Sequence, residues 1–315
     1  MSFVRTVLGD IPPAALGRVY AHEHLIIDPG YVLQLHPDLA VSSAEKGVEE
    51  MAAVKRAGGG AAIDTMPCDA GRNVVKLAAI SRGSGVHVVA PTGLHLPRFY
   101  PQGHWRFRLP ATELADLFVG EIVDGIDAND LAGPELRRTP HRAGIVKVAS
   151  AAPGLDAAER AAFEAAAAAH RRTGAPIITH CESGRGLDQI ELLASRGVPP
   201  SKITLSHTDR LPDPDYHRAL LRTGVNVEYD RMLRAPLDDA NPTLRLAAQM
   251  LPEFPDQVMF GTDGARPSYW RAYGGAPGLD YLLLGWCDAL RRRGVSQELL
   301  DRAFVSTPAR AFSFA

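Results

Sequence analysis

The stretch GRVYAHEHLIID, residues 17–28, opens with a β-branched and aromatic run and places two histidines one residue apart. Extended side chains alternate between faces, so His22 and His24 point one way and Glu23 the other. Two imidazoles on one face can share a metal ion, whereas the same pair on a surface strand is only solvated. The rest of the chain decides between these readings. The run at 18–25 is the first of eight of its kind. The others are AAIDTMP (61–67), VHVVAPTG (86–93), AGIVKVAS (143–150), APIITHC (175–181), KITLSHTD (202–209), GVNVEYD (224–230) and QVMFGTDG (257–264).

Between these runs lie stretches with helix signals. Asp156 with Glu159 three residues on, followed by an Ala-rich run and Gly174, reads as a capped helix. Ser43 reads as the opening of the helix after the first strand, and Gly58 to Gly60 as its close. Strand and helix alternating eight times, with strands apolar on both faces, predict a parallel sheet closed into a barrel. A doubly wound open sheet is the alternative, but no Gly-rich phosphate loop follows the first strand. At 315 residues the chain suits one α/β barrel, a fold that occupies about 250 residues before insertions. The expected fold is therefore a (β/α)8 TIM barrel with a short N-terminal β extension, as a single domain over 1–315.

Composition excludes several function classes. A hydrophobic share of 46%, a charged share of 22% and a net charge of −2 offer no global field for nucleic acid or a membrane surface. The start, MSFVRTVLGDIPP, lacks the basic and apolar segments of a secretory signal, and no apolar run nears the roughly twenty residues that span a bilayer. A cytoplasmic location is expected. Cys68, Cys181 and Cys287 are widely separated and lack C-x-x-C spacing, so neither a disulfide framework nor a zinc knuckle is indicated. A small-molecule substrate is expected, with no nucleic-acid or membrane partner, and a homodimer is compatible with the reading.

The position of the ionisable residues within the runs carries the most information. His22, His24, Lys147, His180, His207 and Asp263 fall in the C-terminal parts of the first, fourth, fifth, sixth and eighth runs. A barrel brings those ends to one face. Burying these groups in an apolar barrel costs several kcal/mol for each unpaired charge, so a compensating cation is expected. His36, His141, His170 and His217 fall in loops or at helix ends and read as solvated, while His87 opens its strand and reads as structural. The irregular stretch LHLPRFYPQGHWRFRLP, 94–110, suits a functional loop at the barrel mouth.

The order H-x-H, Lys, His, His, Asp on these strands resembles the amidohydrolase superfamily, and within it the phosphotriesterase-related hydrolases and lactonases. The segments TVLGDIPPAALGRVYAHEHL, GIVKVA, PIITHCESG, LSHTDR and TPARAF also fit that group. The resemblance implies two divalent metal ions, usually zinc. By matching position, His22, His24 and Asp263 would hold one ion and His180 and His207 the other, with Lys147 bridging them as an N-carboxylated lysine. It further implies attack by a metal-bridging hydroxide, with Asp263 as the catalytic proton shuttle.

The loops after the last two strands, EYDRMLRAP and GTDGARPSYW, crowd Arg231, Arg234, Arg266 and Tyr269 near the expected metals. Arginine forks grip phosphate or carboxylate, although pairing with Asp209, Asp213, Asp230 or Asp238 is the structural alternative. Lactonases of phosphorylated sugars resemble this chain in having Arg and Tyr three residues apart after the last metal-binding Asp. Arg266 and Tyr269 match, and Arg234 stands where the family carries a Lys. His95 stands where simpler lactonases carry a Tyr, which argues against an acyl-homoserine lactone and makes His95 a candidate substrate contact. The expected activity is opening of a small anionic lactone. Broad phosphotriesterase or carboxylesterase activity, acyl-homoserine lactonase activity, and a non-catalytic metabolite-binding barrel are the alternatives.

Overall fold

A hairpin of β1 (Val4–Thr6) and β2 (Gly9–Ile11), antiparallel, forms the short N-terminal extension. The structure is a computed structural model describing residues 2–151, 155–182 and 184–315. After the hairpin come β3 (Arg18–Glu23), β4 (Gly59–Asp64), β5 (His87–Val89), β6 (Pro91–Gly93) and β7 (Ile145–Ser150). They are followed by β8 (Ile177–Cys181), β9 (Ile203–Ser206), β10 (Asn226–Tyr229) and β11 (Val258–Phe260). Pairing is parallel throughout, in the orders β3-β4-β5 and β6 to β11. Closure is made by the amides of Thr262 and Asp263, which donate to the His22 carbonyl at 3.2 and 3.1 Å. Gly261 permits that approach, since a Cβ there would lie 2.6 Å from the His22 nitrogen. The fold is the (β/α)8 barrel that the strand–helix rhythm predicts.

The outer layer is α1 (Tyr31–Leu35), α2 (Ala44–Arg56), α3 (Val74–Ser84), α4 (Ala111–Val123), α5 (Ala157–Thr173), α6 (Gly186–Ser195), α7 (Pro214–Leu221), α8 (Pro242–Glu253) and α9 (Gly285–Arg292), followed by α10 (Gln297–Asp301) and α11 (Thr307–Ala311), which a π-helical turn at Arg302–Ser306 joins. The capping box of α5 is present: Asp156 accepts from the Glu159 amide, Glu159 accepts from Asp156, and Gly174 ends the helix in the left-handed region. Ser43 caps α2. Among the described residues no helix is long and apolar enough to cross a membrane.

Two buried clusters divide the strand residues by period two. Val19, Ala21, Ala61, Ile63, Val89, Ile145, Ile178 and Met259 form one, while Tyr20, Ala62, Val88, Val146, Ile177 and Val227 pack with helix residues. Lys147 follows Ile145 and His180 follows Ile178 on the first of these faces. The interior thus turns polar only toward the C-terminal rim.

Several expectations need correction. The third run is two strands, because Pro91 has no amide to donate, and the Ala90 carbonyl accepts instead from Gly144 at 2.9 Å. Gly58 alone turns the chain out of α2, at φ +97. Gly59 and Gly60 begin β4, where a Cβ on Gly60 would lie 2.2 Å from the Leu16 carbonyl oxygen. His141, His170 and His217 are buried rather than solvated. Their ring N–H groups donate to the carbonyls of Val7 (2.6 Å), Ala175 (2.8 Å) and Leu211 (3.1 Å). His36 is exposed, as expected.

Candidate active site

At the C-terminal rim the six expected residues meet. The rings of His22 and His24 lie 5.4 Å apart between centroids, His22 and His207 4.6 Å, and His180 and His207 4.4 Å. His24 Nε2 is 3.3 Å from Asp263 Oδ1, and one donor atom each from His22, His24 and Asp263 lies within 4.8 Å of the others. His22, His207 and Asp230 form a second such group. His22 Nε2, His24 Nδ1 and Lys147 Nζ are buried and meet no hydrogen-bond partner among the described residues. Buried polar nitrogens left unpaired in this way cost about 1–3 kcal/mol each, which cations placed among them offset. The residues therefore fit a metal centre of imidazole and carboxylate donors.

His24, His207 and Asp263 lie just past the ends of their strands rather than within them. His207 (φ 60) and Asp263 (φ 45) take left-handed backbone, a strained state for non-glycine residues. The surroundings hold it: the His207 amide donates to Asp230 Oδ2 at 2.9 Å, and the Asp263 amide donates to His22. Gly93 serves Lys147, because a Cβ there would sit 1.9 Å from the Lys147 carbonyl oxygen.

A layer of buried carboxylates that the sequence analysis missed stands behind the cluster. Glu228 accepts from His22 Nδ1 and Asp230 from His207 Nδ1 at 2.9 Å, which turns each Nε2 toward the center of the group. Glu23 accepts from the amide of Thr262 at 2.8 Å, and Asp64 from the amides of Leu25 and Met66 at 2.8 and 3.1 Å. Glu228 and Glu23 had a signal: a lone carboxylate inside a strand apolar on both faces needs a partner across the barrel.

Electrostatics separate these groups. Burial, reinforced by the charge of Asp230, raises Glu228 well above the carboxylate range, and burial with Asp263 pushes Asp230 up to about 7. Burial lowers Lys147 to about 8, against the carboxylates Glu228, Asp230 and Asp263. Burial opposes ionisation of Asp263 too, yet the His24 hydrogen bond and the Arg234 guanidinium hold it well below the usual range. Burial keeps His22, His180 and His207 well below the usual imidazole value, hence neutral donors at pH 7.

Above the cluster opens a cavity of about 440 Å3 whose lining includes His95, Arg98, Arg210, Arg231, Arg234 and Arg266. The 94–110 loop contributes His95, Arg98 and Phe99. Arg234 does not pair with the aspartates weighed above: it donates to Asp263 Oδ2 and to the Tyr269 hydroxyl, both at 2.5 Å. Tyr269 thus stands behind Arg234 rather than on the cavity wall. Arg266 donates to Asp38 at 2.7 Å. Arg98 and Arg210, which sequence reading passed over, share Glu182 at 2.7 and 3.3 Å. The Arg231 amide donates to Asp209, while its guanidinium makes no ion pair among the described residues.

The comparisons agree with this geometry. The phosphotriesterase family model matches residues 2–312. A phospho-furanose lactonase of Mycoplasmopsis agalactiae is 30% identical over 323 residues, covering 99% of this chain and 92% of that protein. The crystal structure of an amidohydrolase from Mycoplasma synoviae superposes with a TM-score of 0.93 at 30% identity, over 100% of this chain and 92% of the other. A lactonase from Listeria monocytogenes gives 0.90 at 29% identity, over 99% of each chain. With a barrel closed through His22, and with His, Lys and Asp side chains gathered at one rim, this chain belongs to the phosphotriesterase family, whose members are binuclear metal-dependent enzymes.

Proposed function

We propose that the protein is a metal-dependent lactonase opening small anionic lactones, with a phosphorylated furanose lactone as the first candidate. The observation that carries this reading is the wall of guanidiniums, Arg231, Arg234 and Arg266 among them, directly above the His/Lys/Asp cluster. An uncharged ester gains little from such a wall, whereas an anionic one is gripped by its forked donors. The similar phospho-furanose lactonase supports the same choice.

His22, His24 and Asp263 would hold one ion and His180 and His207 the other, with Lys147, N-carboxylated, between them. The unpartnered, buried Lys147 Nζ supports that modification, since a carbamate replaces an isolated ammonium by an anion with two oxygens. We assign zinc, which suits a set of neutral imidazoles and carboxylates. When bound, such ions activate water near pH 7 and polarise the acyl oxygen. Asp263, ionised and clamped by Arg234, takes the proton of the attacking water and hands it to the alkoxide leaving as the ring opens. Arg231 and Arg266 seat the anionic end of the substrate. Free cysteines at 68, 181 and 287 support a reducing, cytoplasmic setting.

The test is proton release from matched lactones with and without a phosphate, using the metal-loaded protein. Phosphorylated lactones should be opened, and Asp263→Asn should lower kcat by about 10²–10⁴-fold. Hydrolysis of only uncharged lactones or triesters would remove the phosphate assignment.

A further inference from the structure

The 94–110 loop contains a device that the metal cluster does not need. The His95 amide donates to the Tyr100 hydroxyl at 2.9 Å, and that hydroxyl donates to the Cys68 carbonyl at 3.0 Å. Arg106 donates to the His95 carbonyl at 2.5 Å, with its guanidinium over the Tyr100 ring at 4.7 Å. The backbone of one cavity residue is therefore fixed from both sides by buried side chains. Its ring is fixed as well, meeting Phe99 edge-on at 4.3 Å and lying 5.0 Å from His180.

One further contact decides which proton the ring carries. The Leu96 amide donates to His95 Nδ1 at 2.8 Å. A backbone N–H has only a proton to give, so Nδ1 must accept and the neutral ring carries its hydrogen on Nε2. Nε2 meets no partner among the described residues, although the ring lines the cavity. The loop thus presents a neutral, pre-aimed hydrogen-bond donor on the His180 side of the cluster, while Asp263 sits on the His24 side.

We infer that His95 is a catalytic residue whose Nε2–H donates a hydrogen bond to the acyl oxygen of the lactone as negative charge develops there. This rests on the lactone-opening reading of the site. Around the carbon under attack, the acyl oxygen and the ring oxygen that leaves point apart. The two sides of the cavity suit that division: Asp263 serves the leaving oxygen and His95 the oxygen that remains. No proton is transferred by His95; the acyl oxygen regains its double bond as the ring C–O bond breaks. A donor held in place before the substrate arrives acts most strongly on the transition state.

The test uses His95→Phe, which keeps the ring and removes the donor, and His95→Gln, whose amide N–H can stand near the Nε2 position. Both are assayed as metal-loaded protein on a phosphorylated and an uncharged lactone. His95→Phe should lower kcat about 10²-fold with KM little changed, equally on both substrates. His95→Gln should recover about a tenfold part of that loss. Metal content should match wild type in both variants. Long-range 1H–15N correlations of the metal-free wild-type protein should show His95 protonated on Nε2 and bare on Nδ1. A proton on Nδ1, a change confined to KM, or a glutamine variant no better than phenylalanine would overturn the assignment. Failure of the phosphate reading would show instead as wild-type turnover of only the uncharged lactone, on which the His95 comparison still reads out.

Discussion

The floor and the rim of the cavity use the same kinds of charged residue under opposite conditions. On the floor, His22 and His207 are held by Glu228 and Asp230, both fully buried. At the rim, Arg266 holds Asp38 with side chains 37% and 57% exposed, and Arg98 holds Glu182 from a half-exposed position. Exposed pairs of that kind contribute about 0–1 kcal/mol and exchange partners readily, while buried ones fix geometry. The floor is thus built to hold one arrangement, while the rim pairs are placed to exchange partners. The phosphotriesterase scaffold supplies the first; under the proposed lactonase reading, the arginines adapt this chain to its substrate.

This contrast can be broken by substitution. Glu228→Gln should weaken metal binding about 10–100-fold, because the carboxyl that meets His22 Nδ1 and turns Nε2 inward is replaced by an amide. Competition with a chelator measures it, and Arg98→Ala at the rim should leave the same titration unmoved. Arg266→Ala should raise KM for a phosphorylated lactone about tenfold, equivalent to about 1.4 kcal/mol, with kcat nearly constant and uncharged lactones unaffected. A fall in kcat at constant KM would instead place Arg266 in the chemistry.

The smallest effect concerns a buried histidine with no part in the site. Burial, partly opposed by the Leu211 carbonyl, pushes His217 down to about 4. Between its unfolded value near 6.5 and about 4, the unfolded chain binds a proton that the native ring refuses. Stability from this residue is therefore fully present above about 6.5 and is lost as pH falls through that window. His217→Gln should flatten this acid limb in urea unfolding followed from pH 7 to 4.5. An unchanged slope would show that His217 titrates normally.

Much of this was legible in the sequence, and the reasons are local. Short β-branched runs apolar on both faces gave the strands, and Asp156, Glu159 and Gly174 bounded α5 because caps are made by near neighbours. Polar residues at the ends of apolar runs marked the rim, which is how His22, Lys147 and His180 were found. What stayed hidden depends on distant partners. Glu228 acquires its role only when β10 meets β3 across the barrel, and His141 is buried by a carbonyl 134 positions away. The pairing of Arg266 with Asp38 joins two loops at opposite ends of the chain, so spacing gave its position but not its partner. The break before Pro91, by contrast, was readable from proline's missing N–H alone.

The most direct test of the account is the metal content of the purified chain after supplementation with zinc and bicarbonate, set beside Lys147→Ala. The account predicts about two ions per wild-type chain and a marked loss in the variant. A wild-type chain that binds no ion, or a variant that binds as many as wild type, would contradict it.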